Sequence, residues 1–250
     1  MPGIKKRMRT VNDGKSAAIT DKEGVMRLKE SKGNMYPWVT HTHAALGGEC
    51  PHKCVYCYVD NPRWGRAPKY QGPLRLIETE MKVDFGSGKT IFIENCNDLF
   101  AKEVPQNFIN RVIHHCLLWP NNTYVFQTKN PARYLTMDSL FPDGSILGCT
   151  IETNRNTEAI SAAPSPKDRA EAMARLKGRK FITIEPVLDF DVQILAAWIA
   201  RIEPEFLNLG ADSKDHNLPE PTVQKIHELV AALGQYGIEL REKHNLRRLK

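Results

Sequence analysis

From Trp38 onward, short runs rich in β-branched and aromatic residues alternate with longer stretches whose apolar positions recur at helical spacing. Strands need few residues to cross a sheet and helices need more to return, so this alternation predicts parallel strands joined by crossover helices. The predicted strands are residues 38–44, 90–94, 123–127, 146–150, 181–185 and 206–209, with a short edge strand at 238–240. Between them, 74–81, 105–118, 132–140, 167–176, 192–201 and 222–233 are predicted to be helical. Pro105 and Pro131 suit a first helical turn, and Gly178, Gly234 and Gly237 suit the stops. The pattern predicts an α/β fold, a partial (β/α)6 TIM-like barrel of parallel strands over residues 36–241. Residues 1–35 are polar and expected to be loosely ordered, and 242–250 form a basic tail. No linker divides the chain. In such barrels ligands bind at the carboxyl ends of the strands, so chemistry is sought just after each one.

Composition adds little to the fold and more to the setting. With 250 residues, 41% of them hydrophobic, a sizeable core is available. No apolar run reaches the roughly 18 residues of a membrane span, and the basic N-terminus lacks the apolar stretch of a secretory signal. The expectation is a cytoplasmic protein with no membrane partner. A net charge of +6 fits a polyanionic partner, although Lys5, Lys6, Arg7, Arg9, Arg247, Arg248 and Lys250 also serve as solubilising tails.

The six cysteines change the picture. Cys50, Cys54 and Cys57 lie within eight positions on one loop after the first predicted strand, unlike a spread disulfide framework. Thiolates are soft donors that suit iron–sulfur clusters or zinc. A zinc site needs a fourth ligand, for which His52 is a candidate, and usually a second Cys or His pair, which is missing at suitable spacing. Gly86-Ser87-Gly88-Lys89-Thr90 is no P-loop, because it precedes a strand where a P-loop follows one.

The Cx3Cx2C spacing, with Tyr56 before the last cysteine, resembles the radical S-adenosylmethionine (radical SAM) superfamily. The resemblance implies that Cys50, Cys54 and Cys57 hold a 4Fe-4S cluster whose remaining iron binds S-adenosyl-L-methionine (SAM). An electron from a donor such as flavodoxin or ferredoxin then yields a 5′-deoxyadenosyl radical. It further implies that Tyr56 lies against the adenine and that Glu94, or failing that Asn95, receives the methionyl ammonium; the superfamily's usual glycines at that place are missing. After the later strands, Lys129 is placed to meet a carboxylate or phosphate, and Thr150, Glu152 and Asn154 to meet ribose hydroxyls. Glu185 and Asp212 end the fifth and sixth strands. Each carboxylate serves equally well as a loop cap or an ion-pair partner.

The Cys-x-Tyr-Cys-Tyr loop and the cysteine soon after the second strand also resemble spore photoproduct lyase, a radical SAM enzyme that reverses a thymine dimer in DNA. That resemblance implies a hydrogen-atom donor role for Cys96, with Cys149 as a second candidate; Cys116 falls in the apolar part of a helix. The fuller run from the cysteine loop through Asn95-Cys96-Asn97-Asp98 and Gln127-Thr128-Lys129-Asn130-Pro131 to Glu185-Pro186 resembles short, phage-associated radical SAM-like proteins of unknown function. It covers residues 38–241. Arg63, Trp64, Arg66, Lys69 and Tyr70 interleave charge and aromatic rings, a mixture suited to bases and phosphates or to a lid over the cysteines. The expected substrate is therefore a nucleic acid or nucleotide, undergoing repair or modification. A peptide or small-metabolite substrate and a non-catalytic zinc or nucleic-acid-binding module are the alternatives.

Overall fold

The computed structural model describes residues 18–20, 26–31, 35–59, 67–214 and 216–250. Its strands are β1 (Ala18–Thr20), β2 (Met26–Glu30), β3 (His41–His43), β4 (Leu46–Gly47), β5 (Arg75–Leu76), β6 (Thr90–Ile93), β7 (Thr123–Thr128), β8 (Ile146–Thr150), β9 (Lys180–Ile184), β10 (Phe206–Leu209) and β11 (Glu239–Glu242). The α-helices are α1 (Gln106–Leu117), α2 (Pro166–Arg175), α3 (Val192–Ile202) and α4 (Val223–Gln235). The main sheet has the order β1-β2-β3-β6-β7-β8-β9-β10-β11. From β3 to β11 every pairing is parallel, whereas β1 and β2 extend the edge in antiparallel fashion. The chain folds as the partial TIM-like barrel that its alternation predicts. No helix among the described residues is long and apolar enough to cross a membrane.

Side chains alternate across a strand, so each strand of the barrel feeds two cores. Ile91, Ile93, Phe126, Leu147, Ile182 and Leu207 point outward to the apolar stripes of the helices, among them Ile109 and Ile113 of α1 and Leu195 and Ile199 of α3. Phe92, Val125, Ile146, Phe181 and Phe206 point inward and pack with Tyr36 and Val39. Further along the same inner faces Gln127, Thr150 and Thr183 replace apolar groups, and there a cavity begins. Helix starts follow local chemistry: the Ser165 hydroxyl accepts from the Asp168 amide at 3.1 Å ahead of Pro166.

Three expected elements differ. Residues 74–81 form β5 and a 3-10 turn at Glu80–Lys82 rather than a helix, because β4 offers a free edge that β5 pairs with and the Ala45 carbonyl takes the Ile77 amide at 2.8 Å. Residues 132–140 form two 3-10 turns, Pro131–Thr136 and Asp138–Leu140, broken at Met137 with φ −134°. The Arg133 guanidinium donates to the Ala101 and Val104 carbonyls, a tertiary anchor that overrides helical propensity. In the segment expected to be loosely ordered, β1 and β2 are strands. Lys5, Lys6, Arg7, Arg9, Arg63, Trp64 and Arg66 lie outside the described residues.

Candidate active site

A cavity of about 580 Å³ opens at the carboxyl ends of the parallel strands. It gathers most of the residues singled out from the sequence: Cys50, Cys54, Tyr56 and Cys57 from the cysteine loop, Glu94, Asn95 and Cys96 after β6, Lys129 after β7, Thr150 at the end of β8, and Glu185 and Asp212 after β9 and β10. Cys149, Glu152 and Asn154 do not line it. Cys149 points outward into the helix-facing core with no exposure, a consequence of strand alternation that separates it from its neighbour Thr150. Asn154 instead holds Asp191 at the start of α3, its Oδ1 accepting from the Asp191 amide at 2.8 Å. Glu152 is buried behind Tyr56.

The cysteine loop is docked by backbone bonds on two sides. Gly48 and Glu49 amides donate to Lys69 and Gly72 carbonyls, while Val55 donates to Ile160 and Ala162 donates to His52. Gly48 has φ +94°, and a Cβ there would stand 2.3 Å from the Pro73 carbonyl oxygen, so this entry to the loop requires glycine. All three thiols are free and partly exposed. Cys54 Sγ lies 3.1 Å from the Ser161 hydroxyl. Burial pushes the Cys50 thiol up to about 12, and the Asp98 carboxylate adds to that. A bound cation reverses such a shift, since a coordinating thiol is deprotonated outright.

His52 does not join the thiols. It is buried, and its Nε2 lies 2.8 Å from Asp98 Oδ2. Among the described residues, no set of three or more His, Cys, Asp or Glu side chains is arranged to hold a metal ion. The fit to a cluster therefore rests on the donor set: three soft thiols on one loop, lining one cavity, with the adjacent imidazole committed elsewhere. That set suits an iron–sulfur cluster with one open iron better than four-ligand zinc.

Around this loop three polar groups are held firmly. The Tyr56 hydroxyl donates to Glu152, which also pairs with Arg169 at 2.7 Å and Lys129 at 3.5 Å. Burial alone would raise the Glu152 carboxyl, but Arg169 and Lys129 outweigh it and hold the group below its ordinary value. The Lys129 ammonium stands 5.4 Å from the Tyr56 ring centroid. Glu94, with φ +61°, accepts from the Ala45 and Leu46 amides at 2.5 and 2.9 Å. Its burial pushes it up to about 8. Cys96 receives the Tyr58 hydroxyl at 3.5 Å, and burial raises its thiol, so the sulfur keeps its hydrogen near neutrality.

Several partners were not singled out in the sequence. Tyr36 forms the cavity floor, its hydroxyl donating to Gln127 at 2.8 Å and lying 2.8 Å from the Thr183 hydroxyl. Lys243 pairs with Glu185 at 2.7 Å, and Asn245 Nδ2 donates to the same carboxylate at 2.7 Å. The expected basic tail thus builds one wall. Arg169 had a visible signal: it shares the buried stripe of α2 with Ala172 and Met173.

In fold, the chain is similar to spore photoproduct lyase. A structure of that enzyme, a mutant with bound AdoMet and dinucleoside spore photoproduct, superposes with a TM-score of 0.54 at 12% identity, over 83% of this chain and 63% of the other. A second, complexed with dinucleoside spore photoproduct, gives 0.54 at 12% identity over 81% and 64%. The chain spans less than two thirds of the length of these lyases. No curated protein matches its sequence. A family model described as "Protein of unknown function (DUF5131)" matches residues 38–244.

Proposed function

The chain belongs to that DUF5131 family, and from this premise we propose that it is a radical SAM enzyme acting on a nucleic acid or nucleotide. The observation that carries the reading is the trio Cys50, Cys54 and Cys57 on one cavity wall, with His52 turned away to Asp98. In this reading the three thiolates hold a 4Fe-4S cluster, which when bound supplies the electron that cleaves SAM to a 5′-deoxyadenosyl radical.

The protein's own residues then bind and orient. Tyr56 offers a ring fixed by Glu152 for the adenine to rest on. Glu94 or Asn95 receives the methionyl ammonium, and Thr150 and Lys129 meet the polar remainder of the cofactor. Cys96 holds a hydrogen atom on a half-buried, protonated sulfur at the cavity wall, ready to pass it to a carbon-centred product radical. In that transfer the S–H bond breaks homolytically as the product C–H bond forms, and the thiyl radical left on sulfur is returned to the thiol by one electron from the protein's electron donor and one proton from water. The substrate reading is supported by the net charge of +6 and by the dinucleoside ligand named for the structural neighbour.

Anaerobic reconstitution with iron and sulfide tests the class: brown protein that releases 5′-deoxyadenosine under a strong reductant is expected. Colourless protein holding one zinc per chain overturns it. Salt-dependent binding to single- and double-stranded DNA or RNA tests the substrate, since several phosphate contacts make affinity fall steeply with salt. Absence of binding even at low salt would turn the reading to a peptide or small metabolite.

A further inference from the structure

The position between the first two cluster cysteines is fixed from opposite sides. Toward the barrel, the His52 ring meets Asp98, and this carboxylate uses both oxygens fully. Oδ2 takes His52 Nε2 at 2.8 Å and the Lys129 amide at 2.7 Å, and Oδ1 takes the Thr128 hydroxyl at 2.7 Å and the Phe100 amide at 2.9 Å. Away from the barrel, the His52 carbonyl accepts from the Ala162 amide at 2.7 Å and the Ser161 hydroxyl at 3.2 Å. Ser161 in turn stands 3.1 Å from Cys54 Sγ. One carboxylate therefore joins the segment after β6, the end of β7 and the cysteine loop, and the loop is clamped between that carboxylate and the 160–162 segment.

We infer that the His52–Asp98 pair is a positioning device for the cluster: it holds Cys50 and Cys54 in ligating register and sets the charge beside the cluster. The inference rests on the iron–sulfur reading above. A buried histidine–carboxylate pair contributes little net stability, because desolvation offsets its attraction. Its placement does give it a task, because outer partners that orient metal ligands govern both retention of the metal and its potential. Asp98 is held down to about 2, its burial outweighed by His52 and by its other hydrogen bonds, so it is anionic. Asp98 lines the same cavity as the three thiols, so its charge lies beside their site.

The test uses the full chain, reconstituted anaerobically, with His52→Gln, Asp98→Asn and the double variant. Three quantities are read: iron retained against EDTA, the electron paramagnetic resonance spectrum of the reduced cluster, and its reduction potential. Both single variants should lose iron roughly tenfold or more faster than wild type. Asp98→Asn should also shift the potential in the positive direction, because a negative charge next to the cluster is gone. The double variant should be little worse than either single one, as expected for residues acting as one pair. In cluster-free protein, His52→Gln should speed amide exchange at Val55 and Ala162 while Asp98 keeps its other bonds, a readout that holds even if Asp98→Asn fails to fold. Wild-type protein that takes up a cluster, alongside folded variants matching it in iron retention, spectrum and potential, overturns this inference and leaves the proposed function standing. Wild-type protein that never binds iron sinks both.

Discussion

Arg169 and Glu152 meet at 2.7 Å with both side chains shut off from solvent, and the same guanidinium nitrogen also donates to the Thr150 carbonyl at 2.7 Å. The pair stands directly behind Tyr56, whose hydroxyl bonds the same carboxylate. A ring expected to carry the adenine is thereby aimed by a helix residue on the outer side of the sheet. Removing one partner of a buried ion pair costs about 3–5 kcal/mol, and Lys129, 3.5 Å from the same carboxylate, offsets only part of the loss of Arg169. Arg169→Met is therefore expected to destabilise the fold by that amount in urea unfolding. The double variant Arg169→Met with Glu152→Gln should recover part of the loss, and equal stability of the single variant and wild type would contradict the account.

Cys96 and Cys149 separate by position. Cys96 lines the cavity beside Tyr58, whereas Cys149 is sealed in the outer core. Under the proposed radical SAM function, Cys96→Ala is expected to leave SAM cleavage intact while the product radical goes unquenched or is diverted to by-products. Cys149→Ala should leave both unchanged and cost about 0.5–3 kcal/mol of stability, the ordinary range for a core truncation. Product analysis by mass spectrometry beside 5′-deoxyadenosine release distinguishes the two. Normal product from Cys96→Ala would remove the thiol from the reaction.

The reading of the sequence succeeded where one periodicity dominated. Phe206–Leu209 and Ile146–Thr150 are found with the expected bounds, and α1 and α3 lie within a residue of theirs, because β-branched runs and amphipathic stripes each admit a single packing. It failed at 74–81, where the free edge of β4 decided the outcome from thirty positions upstream. The gathering of Cys50, Cys54 and Cys57 at one cavity was legible because the three lie within eight positions of one loop. Asp98, Arg169, Lys243 and Asn245 were not given their roles, since each acts on a residue far away in the chain, such as Asn245 on Glu185. Cys149 shows the limit of counting: being near a strand end places a residue close to the mouth, but parity decides which core it enters.

Gly148 has no room to change. A Cβ there would meet Phe181 ring carbons at 2.2 and 2.3 Å, and Phe181 is itself held against Phe206 and Trp38 at centroid distances of 5.3 and 5.7 Å. Gly148→Ala must displace this aromatic layer, on which the Tyr36 floor rests. Overpacking of this kind costs about 1–3 kcal/mol. A lowered urea midpoint with altered near-ultraviolet circular dichroism is expected; an unchanged midpoint would mean that the layer yields freely.

Glu94 gives the fold a pH dependence whose sign follows from its burial. The carboxyl is pushed from 4.5 up to about 8, chiefly by loss of solvent, against the bonds from Leu46 and Ala45 and the nearby Lys69 charge. An acid with a raised value in the folded state keeps its proton there while the unfolded chain has released it. Between pH 4.5 and 8 the native state thus binds more protons, and stability falls as pH rises, by up to about 1.4 kcal/mol per pH unit from this group. Above that window the contribution levels off. Glu94→Gln keeps an oxygen to accept from the Ala45 and Leu46 amides and cannot ionise. In urea unfolding of metal-free protein at pH 5, 7 and 9, the variant should therefore gain on wild type at each step up in pH. A difference between the two that stays constant across that range would show that Glu94 ionises in the folded protein as it does in the unfolded chain.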